Sequence, residues 1–283
     1  MTRVGALTVI ALLAAGGCRD RGGPAPSTSG PAAPVGPGPT VTPAGGTAAT
    51  LDAAPPPPPP IDAPAPAIDA GVDAAPLAVV DAPIKWPPAR DAAMLEYRRL
   101  HTDPAATDTT ITPRMIVLHY TAGNSAAGTR RYFDNLHLES GRAQLRTGGD
   151  VNVSAHYLVD RDGTIYKLMP EDRMARHAIG VNHVAIGVEN VGDEDKYPLT
   201  DAQVAADAAL IRDLKSRWPI EILLGHHEVR SLDGTPWFVE RDPAYRNRKG
   251  DPGPRFMAKV RALVADLGLA GPPPPPAPPP RRR

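Results

Sequence analysis

The stretch ILLGHHEVRSLDGTPWFVERDPAYRNRKGDPGP, Ile222 to Pro254, organises the reading of this chain. Its opening Ile222-Leu-Leu224 is short and apolar, the pattern of a buried strand. The run delivers a His226–His227 pair just past Gly225, and a Lys249-Gly-Asp-Pro-Gly253 turn closes the stretch. Two imidazoles and a carboxylate are side-chain types that hold zinc, although two adjacent histidines are equally at home on a wet loop. The decision rests on whether other strands end in the same way.

Three of them do. Arg114-Met-Ile-Val-Leu-His-Tyr120 reads as a buried strand ending at His119, Ser154-Ala-His-Tyr157 carries His156, and Ala185-Ile-Gly-Val-Glu189 ends at Glu189. A single histidine at the end of a strand is usually a hydrogen-bonded core or rim residue. Several polar strand ends on one domain point instead to a site, because a rigid sheet aims groups placed there.

Around these strands the sequence interleaves helices. Ala92–Leu100 and Ala126–Leu138 suit short helices, and Thr200 with Gln203 forms a capping box. The helix that follows places Val204, Ala208, Ile211, Leu214 and Trp218 on one face. Arg161-Asp-Gly163 turns one strand into the next, residues 138–150 form a polar loop, and an amphipathic helix follows Pro254. The expectation is one α/β domain over 85–270 with a central mixed β-sheet flanked by helices and a site at strand ends.

The flanks read differently. Met1-Thr-Arg3, an apolar run from Val4 to Ala15 and small residues before Cys18, the single cysteine, make 1–18 a signal peptide. Its small-small-Cys ending resembles a bacterial lipobox, with Ala15 where leucine is usual. The resemblance implies lipidation at Cys18 and a membrane partner through the lipid anchor. Residues 19–84 form a Pro/Ala-rich disordered tether with six prolines at Pro55–Pro60, and 271–283 form a Pro-rich basic tail. The 31 basic and 31 acidic residues cancel, which argues against nucleic acid as a partner.

Over about 114–257 the chain resembles the zinc-dependent N-acetylmuramoyl-L-alanine amidases, the group that also holds phage amidases and peptidoglycan recognition proteins. The ordered matches are His119-Tyr-Thr-Ala-Gly123, Ser154 through Tyr166, His177-Ala-Ile-Gly-Val-Asn182, Ala185 through Glu189, the Thr200/Gln203 helix, Gly225-His226 and Lys249-Gly-Asp-Pro-Gly253. The resemblance implies zinc held by His119, His226 and Asp251, with His226 favoured over His227. It implies Glu189 as general base and Lys249 as oxyanion stabiliser. His177 and Asn182 match positions flanking the substrate cleft.

The expected reaction is hydrolysis of the amide between N-acetylmuramic acid and L-alanine, with peptidoglycan or muropeptides as substrate. The expected setting is a monomer anchored in a bacterial cell envelope and facing the periplasm or outer membrane. The alternatives are a non-catalytic peptidoglycan-binding module and a zinc amide hydrolase for another wall component. The interval from His226 to Asp251 is 25 residues, longer than the family's usual short gap. That insertion, with Trp237 as a substrate contact, is expected to wall the groove, the alternatives being a lid and a neutral surface loop. Arg176 replaces an aromatic residue often found before His177. Glu228 is a candidate acceptor for the far N–H of a ligating imidazole.

Overall fold

A computed structural model describes residues 77–274. The signal peptide, Cys18, the tether up to residue 76 and the tail from residue 275 lie outside the described residues. The elements run β1 (Val79–Asp81), α1 (Pro88–His101), β2 (Met115–Tyr120), α2 (Ala126–Phe133), α3 (Ala143–Arg146), β3 (Tyr157–Val159), β4 (Ile165–Lys167), β5 (Ala185–Asn190), α4 (Asp201–Arg217), β6 (Ile222–Gly225) and α5 (Pro254–Leu263). A 3-10 turn over His226–Leu232 follows β6 directly.

The strands form one six-stranded sheet in the order β1-β4-β3-β5-β2-β6. Only β3 and β4 pair antiparallel; β5, β2 and β6 run parallel in its centre and at its edge. Parallel pairing brings the carboxyl ends of β2, β5 and β6 to one side of the sheet, where open α/β sheets usually place their sites.

Side chains alternate across a strand, and the two faces are covered by different layers. Ile116, Leu118, Ile186, Val188 and Leu223 pack against α4 and α5, including Ile211, Leu214, Met257 and Val260. Met115, Val117, Ala185, Ile222 and Leu224 face the other way, toward Val181, Val229 and Leu232. Continuing the period of two along that second face leads to His119, Glu189 and His226. The same pattern that builds the core therefore aims all three onto one face of the sheet.

Two boundaries differ from the sequence expectation. The tether expected to run to residue 84 ends earlier, because Val79–Asp81 pairs in parallel with β4. The Ala82 and Ile84 N–H groups continue this ladder onto Lys167 and Leu168. The β-branched Val79-Val80 pair was hidden by its Ala/Pro-rich surroundings. Helix α1 begins at Pro88, since proline is well tolerated in a first helical turn.

Candidate metal centre

In β2 and β5, His119 and Glu189 are register partners, and Leu118 pairs with Gly225, the residue before His226. Asp251 arrives from the loop before α5. Three ligand atoms converge: His119 Nδ1 and His226 Nδ1 lie 2.9 Å apart, and Asp251 Oδ2 lies 3.2 and 3.1 Å from them. His119, His226 and Asp251 form the one group among the described residues identified as able to hold a metal ion. Ligands about 2.0–2.2 Å from a tetrahedral zinc would stand roughly 3.3 Å apart, close to this triangle.

The protonation pattern fits a cation as well. His177 Nε2 faces the Ala185 carbonyl at 3.2 Å, so that nitrogen carries the hydrogen. Burial and the neighbouring His119 push the His177 imidazolium well below the usual histidine range, so the ring is neutral and its Nδ1 accepts. That Nδ1 lies 3.0 Å from His119 Nε2. His119 must therefore donate through Nε2, which leaves its Nδ1 lone pair aimed at the cluster, as a ligating imidazole requires. Burial, with His119 beside it, holds His226 down at about 4, so this ring too is neutral. Burial alone would raise the Asp251 carboxyl, but the neighbouring rings of His119 and His226 hold it far below the ordinary carboxylate range. The residues fit a divalent metal.

Glu189 opens partly to the cleft, while its Oε2 is buried with no hydrogen-bond partner. Burial pushes its carboxyl up to about 7 against the opposing pull of His119. A carboxyl near neutrality can take and return a proton. A cavity of about 640 Å3 covers the centre, lined by His119, His177, Glu189, His226, Lys249 and Asp251 together with Tyr97, Tyr132, Arg142 and Tyr245. Lys249 is exposed at its rim.

The remaining sequence candidates divide. His177 borders the cavity as expected, but both ring nitrogens are committed, to His119 and to Ala185. Asn182 borders it too, yet its Oδ1 accepts the N–H groups of His177 and Ala178, at 2.9 and 2.8 Å. Both side chains hold the site as well as face it. His156 is fully buried and bridges Arg173 O and Gly187 N. Glu228 does not reach His226; it accepts from Gly225 N at 2.8 Å and pairs with Arg261.

Trp237 is a correction. It does not line the cavity; it packs under the sheet, with the Arg114 guanidinium 4.6 Å from its ring centre. Arg114 precedes β2, so five residue steps, roughly 16 Å at 3.3 Å each, separate it from His119. The insertion is split in function. Its first half, with Val229, Leu232, Trp237 and Phe238, covers the core, and its last residues, Tyr245 and Asn247 to Gly250, wall the cavity.

Arg176 carries more than the sequence indicated. It is buried and donates to Gly149 O, Val151 O, Leu145 O and Tyr245 Oη. Its guanidinium lies 4.6 Å from the Tyr97 ring centre. One cation thus ties the 145–151 loop and the inserted loop to the cavity floor. The sequence signal was the departure from an aromatic residue, which gave the place and not the role.

Fold and site together define a mixed α/β protein with a candidate metal centre beside a buried carboxylate. The chain belongs to the N-acetylmuramoyl-L-alanine amidase family, whose sequence profile matches residues 109–254. It is 37% identical over 127 residues to the 1,6-anhydro-N-acetylmuramyl-L-alanine amidase AmpD of Salmonella typhimurium, covering 41% of this chain and 59% of that protein. It is 29% identical over 120 residues to peptidoglycan-recognition protein SC2 of Drosophila melanogaster, covering 41% and 65%. The chain thus spans about three fifths of the length of these curated relatives. Among solved structures, the N-acetylmuramoyl-L-alanine amidase LysC from Clostridium intestinale aligns over 68% of this chain and 99% of its own, with 22% identity and a TM-score of 0.42.

Proposed function

We propose that this protein is a zinc-dependent N-acetylmuramoyl-L-alanine amidase that cuts the amide between the lactyl group of N-acetylmuramic acid and L-alanine in peptidoglycan or its fragments. The observation that carries the reading is the convergence of His119 Nδ1, His226 Nδ1 and Asp251 Oδ2 beside the partner-free carboxylate of Glu189. Family membership supplies the substrate class.

Zinc held by His119, His226 and Asp251 would supply Lewis acidity, bringing the pKa of water toward ~7 and polarising an amide carbonyl. The chain's own groups do the rest. Glu189, held near neutrality by burial, accepts a proton from the attacking water. The water oxygen bonds to the carbonyl carbon, the C–N bond breaks, and Glu189 returns the proton to the departing L-alanine nitrogen. Lys249, on the rim beside Asp251, offsets negative charge on the carbonyl oxygen. His177 keeps His119 in one tautomer. A non-catalytic binding module has no use for the full ligand set with Glu189 intact.

The lipid anchor is part of this proposal. Among the described residues no helix is long and apolar enough to cross a membrane, and attachment in a bacterial envelope is assigned to acylated Cys18. Incorporation of radiolabelled palmitate, lost in Cys18→Ser, tests it.

The reaction is tested by mass analysis of purified peptidoglycan treated with the full chain, with and without a chelator. Stem peptides with a free L-alanine amino terminus, formed only without chelator, are expected. Fragments cut at another bond, or release that ignores the chelator, would overturn the proposal.

A further inference from the structure

We infer that His227, the neighbour of a ligand and not itself one, is the positioning residue that sets Asp251 in place. The inference rests on the reading of His119, His226 and Asp251 as a zinc site. Two of these three sit on or directly after sheet strands, whereas Asp251 comes from a loop. Arg248, Lys249 and Gly250 are exposed, and among the described residues no hydrogen bond is found for Asn247, Arg248, Lys249 or Gly250. A ligand on so weakly tied a turn needs an anchor of its own.

His227 supplies it twice. Its backbone N–H donates to Asp251 O at 2.8 Å, and its ring Nδ1 lies 3.1 Å from the same oxygen. A carbonyl oxygen only accepts, and it has two lone pairs. The ring is therefore the Nδ1–H tautomer, and both acceptor sites of Asp251 O are used. Asp251 is thus held at its carbonyl by His227, while its Oδ2 lies 3.2 and 3.1 Å from the Nδ1 atoms of His119 and His226.

Local sequence makes the grip possible. A Cβ on Gly225 would stand 2.8 Å from Cε1 and Nδ1 of His227. Only glycine lets that ring fold back over the strand end and reach across to the loop. The geometry also excludes His227 as a fourth ligand. Its Nδ1 is committed to Asp251 O, and the acid nearest its Nε2 is Glu228, at 3.8 Å. The adjacent histidines thus divide the work, His226 facing the metal and His227 holding the loop that brings the last ligand.

The test is zinc affinity of the full chain, measured by competition with a chromogenic chelator, for wild type, His227→Ala and His227→Asn. Asparagine can place an N–H near the position of ring Nδ1. His227→Ala should keep one zinc per chain but bind it 10–100-fold more weakly, the usual effect of removing a group that supports a ligand. His227→Asn should recover most of the loss. Should His227→Ala melt below the assay temperature, His227→Leu keeps the bulk without the donor and should show the same weakening.

Unchanged affinity in the alanine or leucine protein overturns the inference, and so does an asparagine protein as weak as alanine. A wild type that holds no zinc removes the inference and the metal reading together. If zinc affinities follow the prediction while peptidoglycan stays uncut, the inference stands and the amidase reading falls.

Discussion

Replacing Gly187 by alanine should loosen the metal site without touching a ligand. Gly187 lies in the middle of β5, on the face that carries Glu189, and the His177 ring occupies the space a side chain there would need. A Cβ there would stand 2.6 Å from His177 Cγ, 2.8 Å from Nδ1 and 2.9 Å from Cδ2. Packed carbons sit about 3.5–4.0 Å apart, so the ring must retreat by roughly 1 Å. It cannot do so and keep hydrogen bonds of 3.0 Å to His119 Nε2 and 3.2 Å to Ala185 O.

Two costs follow. Overpacking a filled interior typically costs about 1–3 kcal/mol. Freeing His119 to rotate or change tautomer should weaken metal binding about 10–100-fold. Thermal melts read the first and chelator competition the second. A cycle with His177→Ala separates them. Removing the ring relieves the clash, so Gly187→Ala in that background should cost little further stability or affinity. A Gly187→Ala protein with wild-type zinc affinity would refute the claim that His177 holds His119, and additive losses in the double variant would refute the steric route.

Other perturbations test separate parts of the account. Glu189→Gln should retain zinc while amide hydrolysis falls by at least the 10²–10⁴-fold typical of general acid–base groups, measured by product release from peptidoglycan; near-normal turnover would remove Glu189 as the proton carrier. Asp207 is fully buried, and burial raises its carboxyl to about 7 against the hydrogen bond from Asn190. The unfolded carboxyl ionises near its ordinary value of 3.8 while the folded one resists until about 7, so the penalty on the folded state is absent at low pH, grows between these values and is complete above them. Stability of Asp207→Asn relative to wild type should therefore swing toward the variant by about 4 kcal/mol from pH 4 to pH 8, read from denaturant melts; a flat difference would contradict this. Trp237→Ala should lower the melting temperature while leaving kcat and KM on peptidoglycan fragments unchanged, and a KM effect at unaltered stability would restore Trp237 to the cleft.

The centre of the fold was legible because strand periodicity and site placement are one signal. Met115, Val117 and His119 share a parity, as do Ala185, Gly187 and Glu189, and Ile222, Leu224 and His226. A reader of the sequence who follows apolar alternation to its polar end arrives at the site. What stayed hidden depends on contacts across the fold. The tautomer of His119 is set by His177, 58 residues away. The alternation of β6 marks His226, but the task of its neighbour appears only in the fold, which seats the His227 ring over Gly225.

Aromatic residues in a long insertion suggest a groove wall, with Trp237 as a substrate contact on it. The sheet left an apolar face uncovered, and burying an indole there satisfies the chain better than exposing it in a groove. Arg176 looked like a local departure from an aromatic position. Its function appears only when loops 145–151 and 240–250 converge on it, bringing three carbonyls and a tyrosine hydroxyl to one guanidinium. Strand β1 was missed for the opposite reason: three residues carry too little pattern to stand out from an Ala/Pro-rich approach.

The most direct measurement is anomalous diffraction at the zinc edge from crystals of the zinc-loaded protein. The account predicts one peak within bonding distance of His119 Nδ1, His226 Nδ1 and Asp251 Oδ2, on the face of the sheet shared with Glu189. Ligation through either ring's Nε2, a peak bonded to His227, or no peak at the cluster would contradict it.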